Sequence, residues 1–337
     1  MVSKKIRTQA VAAGIAVLAL GLTACSSGDD KTADPGSTSS EGSSGGDAIS
    51  VGFSQVGAES GWRAANTKSI QDTLTKDAGF DLKFSDAQQK QENQIQAIRS
   101  YIAQGVQYIA FSPVVETGWD AVLQEAKAAN IPVILTDRAV DTADTSLYVT
   151  FIGSDFVEEG KRVGQWVSDN LGTEPINVVE LQGTTGSAPA IDRKQGFEDA
   201  TKDNANIKII ASQTGDFTRD GGKKVMEGFL QANPDIDVVY AHNDDMGLGA
   251  IEAIEAAGKK PGVDIKIVTI DGVKDGMTAL ADGKINYIVE CNPLLGPDLA
   301  KIIKTLHDGG TVEPRIVTQD GAFDQEQAKA ALPDRQY

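Results

Sequence analysis

Eight polar residues stand where short apolar runs stop. They are Ser54, Asp86, Ser112 and Asp137, then Gln182, Thr214, Asn243 and Asp271, and within each group of four they recur every 25 to 32 residues. Hydroxyl, carboxamide and carboxylate groups donate and accept hydrogen bonds, which suits non-covalent recognition of a polar small molecule. For Ser54, Ser112 and Thr214, turn formation or helix capping accounts for the residue type equally well. The segment FSQVGAESGWRAAN at 53–66 adds Trp62 and Arg63 beside a glycine where a helix begins. An indole there can cover the apolar face of a sugar ring.

Covalent chemistry asks for a nucleophile with its base, a metal cluster or a cofactor cradle. The chain has two histidines, His242 and His307, and two cysteines, Cys25 and Cys291, with no zinc spacing among them. Gly247, Leu248 and Gly249 open like a dinucleotide loop but reach Glu252 where a third glycine belongs, and no GxxxxGK[ST] segment occurs. No catalytic residue, cofactor or metal is expected. Cys291 reads as a buried small hydrophobe.

The apolar runs that carry these polar ends are ISVGF at 49–53, DLKF at 81–84, YIAF at 108–111, PVILT at 132–136 and Leu147 to Ile152. The rhythm restarts with INVVEL at 176–181, IKIIAS at 207–212, DVVYA at 237–241 and IKIVTI at 265–270. The stretches between them are long enough for crossover helices, so the pattern predicts parallel strands in two α/β halves. Open parallel sheets bind ligands beyond the carboxyl ends of their strands. Two such edges face to face make a cleft.

The first residues carry Lys4, Lys5 and Arg7, then an apolar run from Ala10 to Leu22, too short to remain across a bilayer. Leu22, Thr23, Ala24 and Cys25 resemble the bacterial lipobox, which implies cleavage after residue 24 and a lipid on Cys25. A lipidated Cys25 leaves Cys291 without a disulfide partner. Residues 26–47 hold nothing large and apolar, and 25–48 read as a lipidated cysteine with a flexible tether. Loss of 1–24 leaves 28 basic against 48 acidic residues, a balance that excludes nucleic acid as a partner.

Longer segments carry a specific resemblance. VGFSQVGAESGWRAA at 51–65, QQKQENQIQAIRSYIAQGV at 88–106, SPVVETGWDAVLQEAK at 112–127 and IPVILTDR at 131–138 resemble galactofuranose-binding proteins of ABC sugar importers. VVELQGTTGSAPAIDRKQGF at 178–197, GDFTRDGGKKVMEGF at 215–229, YAHNDDM at 240–246 and IDGV at 270–273 continue it. The wider family is the type I periplasmic binding proteins. It implies two Rossmann-like lobes joined by a three-crossing hinge, a monosaccharide in the cleft, and delivery to an ABC permease and its ATPase subunit.

The resemblance puts Glu59, Ser60, Gly61, Trp62 and Arg63 at the first-lobe lip, with Asp137 and Arg138 after the fourth strand. Arg193, Asn243 and Asp271 come from the second lobe, with Phe217 as an aromatic wall. It divides the chain into a first lobe of 49–154 plus 291–315 and a second of 155–290 plus 316–337. Ribose-type members carry an aromatic pair at the first lip, where this chain has Trp62 followed by Arg63, so a more polar ligand edge is expected. At the last crossing, where ribose binders contribute an amide, Glu290 is not expected to touch ligand.

The expected product is a monomeric lipoprotein on the outer face of the cytoplasmic membrane. A sensor for a sugar or quorum signal on the same fold is the rival reading. A glycosidase using Asp137 and Asp271 is a more distant one, since Arg138 and Arg193 are expected to keep both ionised.

Overall fold

A computed structural model describes residues 48–337. The expected signal peptide, Cys25 and the tether through residue 47 lie outside the described residues. Among the described residues no helix is long and apolar enough to cross a membrane.

The chain begins with β1 (Ile49–Gln55), α1 (Gly61–Thr73), β2 (Phe80–Asp86), α2 (Gln91–Gln104), β3 (Tyr108–Phe111), α3 (Asp120–Ala128), β4 (Val133–Thr136) and β5 (Thr150–Gly153). It continues through α4 (Phe156–Asn170), β6 (Ile176–Gln182), α5 (Ala188–Thr201), β7 (Ile207–Thr214), α6 (Arg219–Ala232), β8 (Val238–Ala241), α7 (Asp244–Ala256), β9 (Lys266–Asp271), α8 (Lys274–Ala281) and β10 (Tyr287–Glu290). Four elements close it: α9 (Gly296–His307), β11 (Arg315–Val317), β12 (Ala322–Phe323) and α10 (Gln325–Ala331).

Two six-stranded sheets result, in the orders β2-β1-β3-β4-β5-β11 and β7-β6-β8-β9-β10-β12. Every pairing is parallel except that of β10 with β12. Strand order reverses at β1 in one sheet and at β6 in the other, and a crevice opens at such points beyond the carboxyl ends. The nine expected strands are all present. The last three, one of them two residues long, carry too little apolar sequence to announce themselves.

Buried apolar residues gather in clusters on the faces of each sheet. Phe53, Ile70, Phe80 and Leu299 belong to one cluster of the first lobe, and Phe111, Trp119 and Leu123 to another. In the second lobe, Met226, Met246, Ile254 and Ile267 pack together. A fourth cluster joins Val163, Phe197 and Tyr240 to Trp62, which reaches over from α1.

The chain passes between the sheets three times, after β5, after β10 and between β11 and β12. Because β11 pairs with β5 through Val317, the last passage falls after that residue instead of after 315. Hydrogen bonds tie the three strands of the hinge together. Ser154 Oγ lies 3.4 Å from Cys291 Sγ and 3.0 Å from Thr318 Oγ1, and the Asn292 N–H donates to Asp320 Oδ1 at 2.9 Å.

Candidate functional site

The first lip is set by the start of α1. Ser60 caps that helix, its Oγ accepting from the Arg63 N–H, so Trp62 and Arg63 both turn inward. Arg63 donates to Asp137 Oδ2 at 2.5 Å and to Glu59 Oε1 at 3.3 Å, and its guanidinium lies 4.6 Å from the Trp62 ring centre. Arg138 donates to the same Glu59 oxygen at 2.5 Å. Burial lowers the Arg138 pKa, with Glu59 opposing, whereas for Arg63 the attraction of Asp137 and Glu59 outweighs burial and raises it.

The facing wall comes from the second lobe. Arg193 reaches in from α5, which lies so close to α4 that a Cβ on Gly160 would come 2.1 Å from the Arg193 carbonyl oxygen. Its Nε donates to Glu159 Oε2 at 2.7 Å, one N–H donates to the His242 carbonyl at 2.6 Å, and the remaining nitrogen lies 3.7 Å from Asp271 Oδ1. Phe217 lies flat on Gly183, where a Cβ would come 1.9 Å from the ring. Asn243 caps α7 through the Met246 N–H and donates to the Phe217 carbonyl at 3.1 Å, so both ends of its carboxamide are engaged.

Three non-glycine residues of these walls have left-handed backbones: Asp137 at φ 63°, Phe217 at 61° and Asp271 at 128°. Such conformations cost roughly 1–3 kcal/mol each and persist where the surrounding structure holds them. Here they aim two carboxylates and a ring into one space.

That space is a cavity of about 270 Å³. Of the eleven residues expected, Glu59, Ser60, Trp62, Arg63, Asp137, Arg138, Arg193, Phe217, Asn243 and Asp271 line it, and Gly61 does not. The Gly61 N–H instead crosses the cleft to Asp245 Oδ2 at 2.7 Å.

Pro189 and Cys291 line the cavity although neither was expected there. Trp62 is a cavity wall and a core residue at once, since its Nε1 donates to the Cys291 carbonyl at 2.6 Å. Glu290 stays out of the cavity. It accepts from Arg335, Tyr337 and the Gly321 N–H, which ties the C-terminal segment to the hinge.

The polar strand ends divide. Asp137, Asn243 and Asp271 reach the cavity, whereas Ser112 Oγ lies 3.0 Å from Thr136 Oγ1 and Thr214 Oγ1 donates to the Gly183 carbonyl, both as structural bonds. His242 is buried 3.0 Å from Glu180 Oε1, away from the cavity.

The expectation that Arg193 keeps Asp271 firmly ionised requires correction. Burial pushes the Asp271 carboxyl well up, more than Arg193 at 3.7 Å offsets, and nearby Asp244 adds to the rise. Burial likewise lifts Glu159 to about 7 against the pull of Arg193. The cavity thus offers cationic donors and carboxyl acceptors around a narrow slot with indole and phenyl walls. Such groups suit hydrogen bonding to a small molecule bearing several hydroxyl groups.

A family model described as the periplasmic binding protein domain matches residues 51–311. The chain belongs to this family. Among its relatives, the galactofuranose-binding protein YtfQ of Escherichia coli (strain K12) is 51% identical over 288 residues, covering 84% of this chain and 90% of that protein. A solved Mycobacterium smegmatis protein in complex with β-D-fucofuranose is 67% identical, with a TM-score of 0.84 over 86% of this chain and 96% of that one. The arabinose-transporter binding protein of Shewanella sp. ANA-3, bound to α- and β-L-arabinofuranose, is 50% identical, with a TM-score of 0.82 over 85% and 95% of the two chains. These relatives are solute-binding proteins, and membership of the periplasmic binding protein family carries an extracytoplasmic location.

Proposed function

We propose that the chain is the substrate-binding lipoprotein of an ABC importer that captures a monosaccharide in its furanose form, galactofuranose or a galactose-like sugar, and passes it to the permease. The observation that carries this reading is the cavity itself. Three arginines and three carboxylates converge there from both lobes, and each of the six is buried. In that reading Glu59, Asp137 and Asp271 accept from sugar hydroxyl groups, while Arg63, Arg138 and Arg193 donate to them. Trp62 and Phe217 face the ring. Asn243 holds Phe217 in place, and Ser60 and Gly61 set the α1 end against the ligand.

The printed ligands of three relatives, galactofuranose, β-D-fucofuranose and L-arabinofuranose, support a furanose ring. Charge-assisted hydrogen bonds contribute about 1.5–3 kcal/mol each, so a few of them discriminate strongly among sugars. Lobe closure around the sugar needs better contacts in the closed state and no covalent step, which is why the reading is a binder and not an enzyme.

The lipid anchor on Cys25 and a monomeric state belong to the same proposal. Cys25→Ala should move the protein from the membrane to the soluble fraction. Calorimetric titration with galactose, arabinose, fucose, fructose and ribose tests the ligand. Heat with galactose is expected, and no heat with any of the five would overturn the proposal.

A further inference from the structure

The two sides of the cavity differ in charge balance. On the first-lobe side Glu59 and Asp137 face Arg63 and Arg138 through contacts of 2.5 to 3.7 Å, two carboxylates against two guanidinium groups. On the second-lobe side Arg193 is a single cation between two carboxylates, with Glu159 Oε2 2.7 Å from Nε and Asp271 Oδ1 3.7 Å from a terminal nitrogen. The remaining oxygen of Glu159 is buried without a hydrogen-bond partner.

The other groups facing Glu159 do not restore the balance. They are Asp320 on the third crossing, the Cys291 thiol on the second, the Tyr240 phenol of β8, and Asp271 itself. Asp271 in turn faces Asp244 and Asp245 at the start of α7. Two buried acids therefore compete for one guanidinium.

We propose that Glu159 and Asp271 share the single Arg193 cation, so that Glu159 is a positioning residue that helps hold the proton on Asp271 and makes sugar binding tighten as pH rises. The inference rests on the reading of the cavity as a sugar site. A sugar hydroxyl donates more strongly to the Asp271 carboxylate than to its protonated form. Where the pair still holds its extra proton, that proton leaves Asp271 for solvent as the hydroxyl takes its place. Burial, the largest cause in both, lifts Glu159 to about 7 and Asp271 well above its ordinary range, so the exchange moves up in pH. Glu159→Gln retains an oxygen for the Arg193 Nε–H and removes one acid, so Asp271 ionises at lower pH.

Calorimetric titration of the full-length protein with galactose, repeated from about pH 5.5 to about pH 8.5, reads the exchange as affinity and as protons released. For the wild type, affinity should fall toward acid, at most about tenfold per pH unit for a single proton. For Glu159→Gln the fall should set in at lower pH. Superimposable curves for the two proteins would overturn the inference.

Thermal melts without sugar give an independent reading. The folded-state pKa of Glu159, about 7, lies above its ordinary 4.5, so its contribution to stability is greatest at low pH and is lost as pH rises through about 7. The melting temperature of Glu159→Gln minus that of the wild type should therefore rise across that window, and a constant difference would contradict the inference. Absence of heat with any sugar would overturn the sugar reading, and the melts would then still decide whether Glu159 holds a proton that the fold retains.

Discussion

The Gly61 N–H at the start of α1 donates to the Asp245 carboxylate at the start of α7, across the cleft, at 2.7 Å. One lobe supplies the donor and the other the acceptor, so the bond exists only with the lobes together. Two more contacts span the same gap. The Glu116 N–H donates to the Gly186 carbonyl at 2.9 Å, and the Arg138 guanidinium lies 5.2 Å from the Phe217 ring centre.

Removing the carboxylate from the first of these contacts should weaken sugar binding. Asp245→Ala loses one charge-assisted bond of about 1.5–3 kcal/mol in the closed state, which corresponds to an affinity loss of roughly tenfold or more. Titration of the variant measures it. Wild-type affinity would mean that the Gly61 bond does not contribute to closure.

Asp271→Asn should separate stability from binding. Burial pushes the Asp271 carboxyl up, so its ionised form costs stability at neutral pH, and a neutral carboxamide of the same shape relieves that cost. The melting temperature should hold or rise while sugar affinity falls. A fall in melting temperature with unchanged affinity would assign Asp271 to the scaffold.

Gly183→Ala tests the phenyl wall. A methyl group there would sit 1.9 Å from the Phe217 ring, inside any permissible contact, and the neighbouring backbone at φ 61° gives the ring little room to retreat. Phe217 must swing into the cavity or lift from the sheet, and in either case sugar affinity should drop by more than tenfold. Retained affinity would show that Phe217 does not face the ligand.

Acid should destabilise the second lobe through Glu180. Against the burial that would raise it, hydrogen bonds from His242, Ser212 and Gln182 hold its carboxyl down at about 2, below its ordinary 4.5. The sign follows from the depressed folded value: this stabilisation is present above about pH 4.5 and is lost as pH falls toward about 2. Melting curves of Glu180→Gln should show a shallower acid limb than the wild type. Identical limbs would remove this pair from the acid response.

Asp137 and Asp271 were visible in the sequence because a carboxylate closing an apolar strand run has few structural excuses, and parallel sheets gather such ends at one edge. Arg193 and Phe217 had no such signal in spacing and came from the motifs around them. Glu159 carried none either. It follows Glu158 in the first turn of α4, and only the phase of that helix makes one exposed and the other buried. Cys291 read correctly as buried, but its place on the cavity wall depends on how three crossings meet at Ser154 and Thr318, contacts more than a hundred residues apart in sequence. Gly61 shows the opposite case, a motif residue whose backbone serves closure while its neighbours line the cavity.

Magnetic resonance of galactose isotope-labelled at its anomeric carbon, bound to the purified protein, reads the ring form of the captured sugar directly. On the furanose reading the protein should select that form from the solution mixture, and the bound anomeric signal should be that of a furanose. A bound signal from the pyranose alone would contradict it.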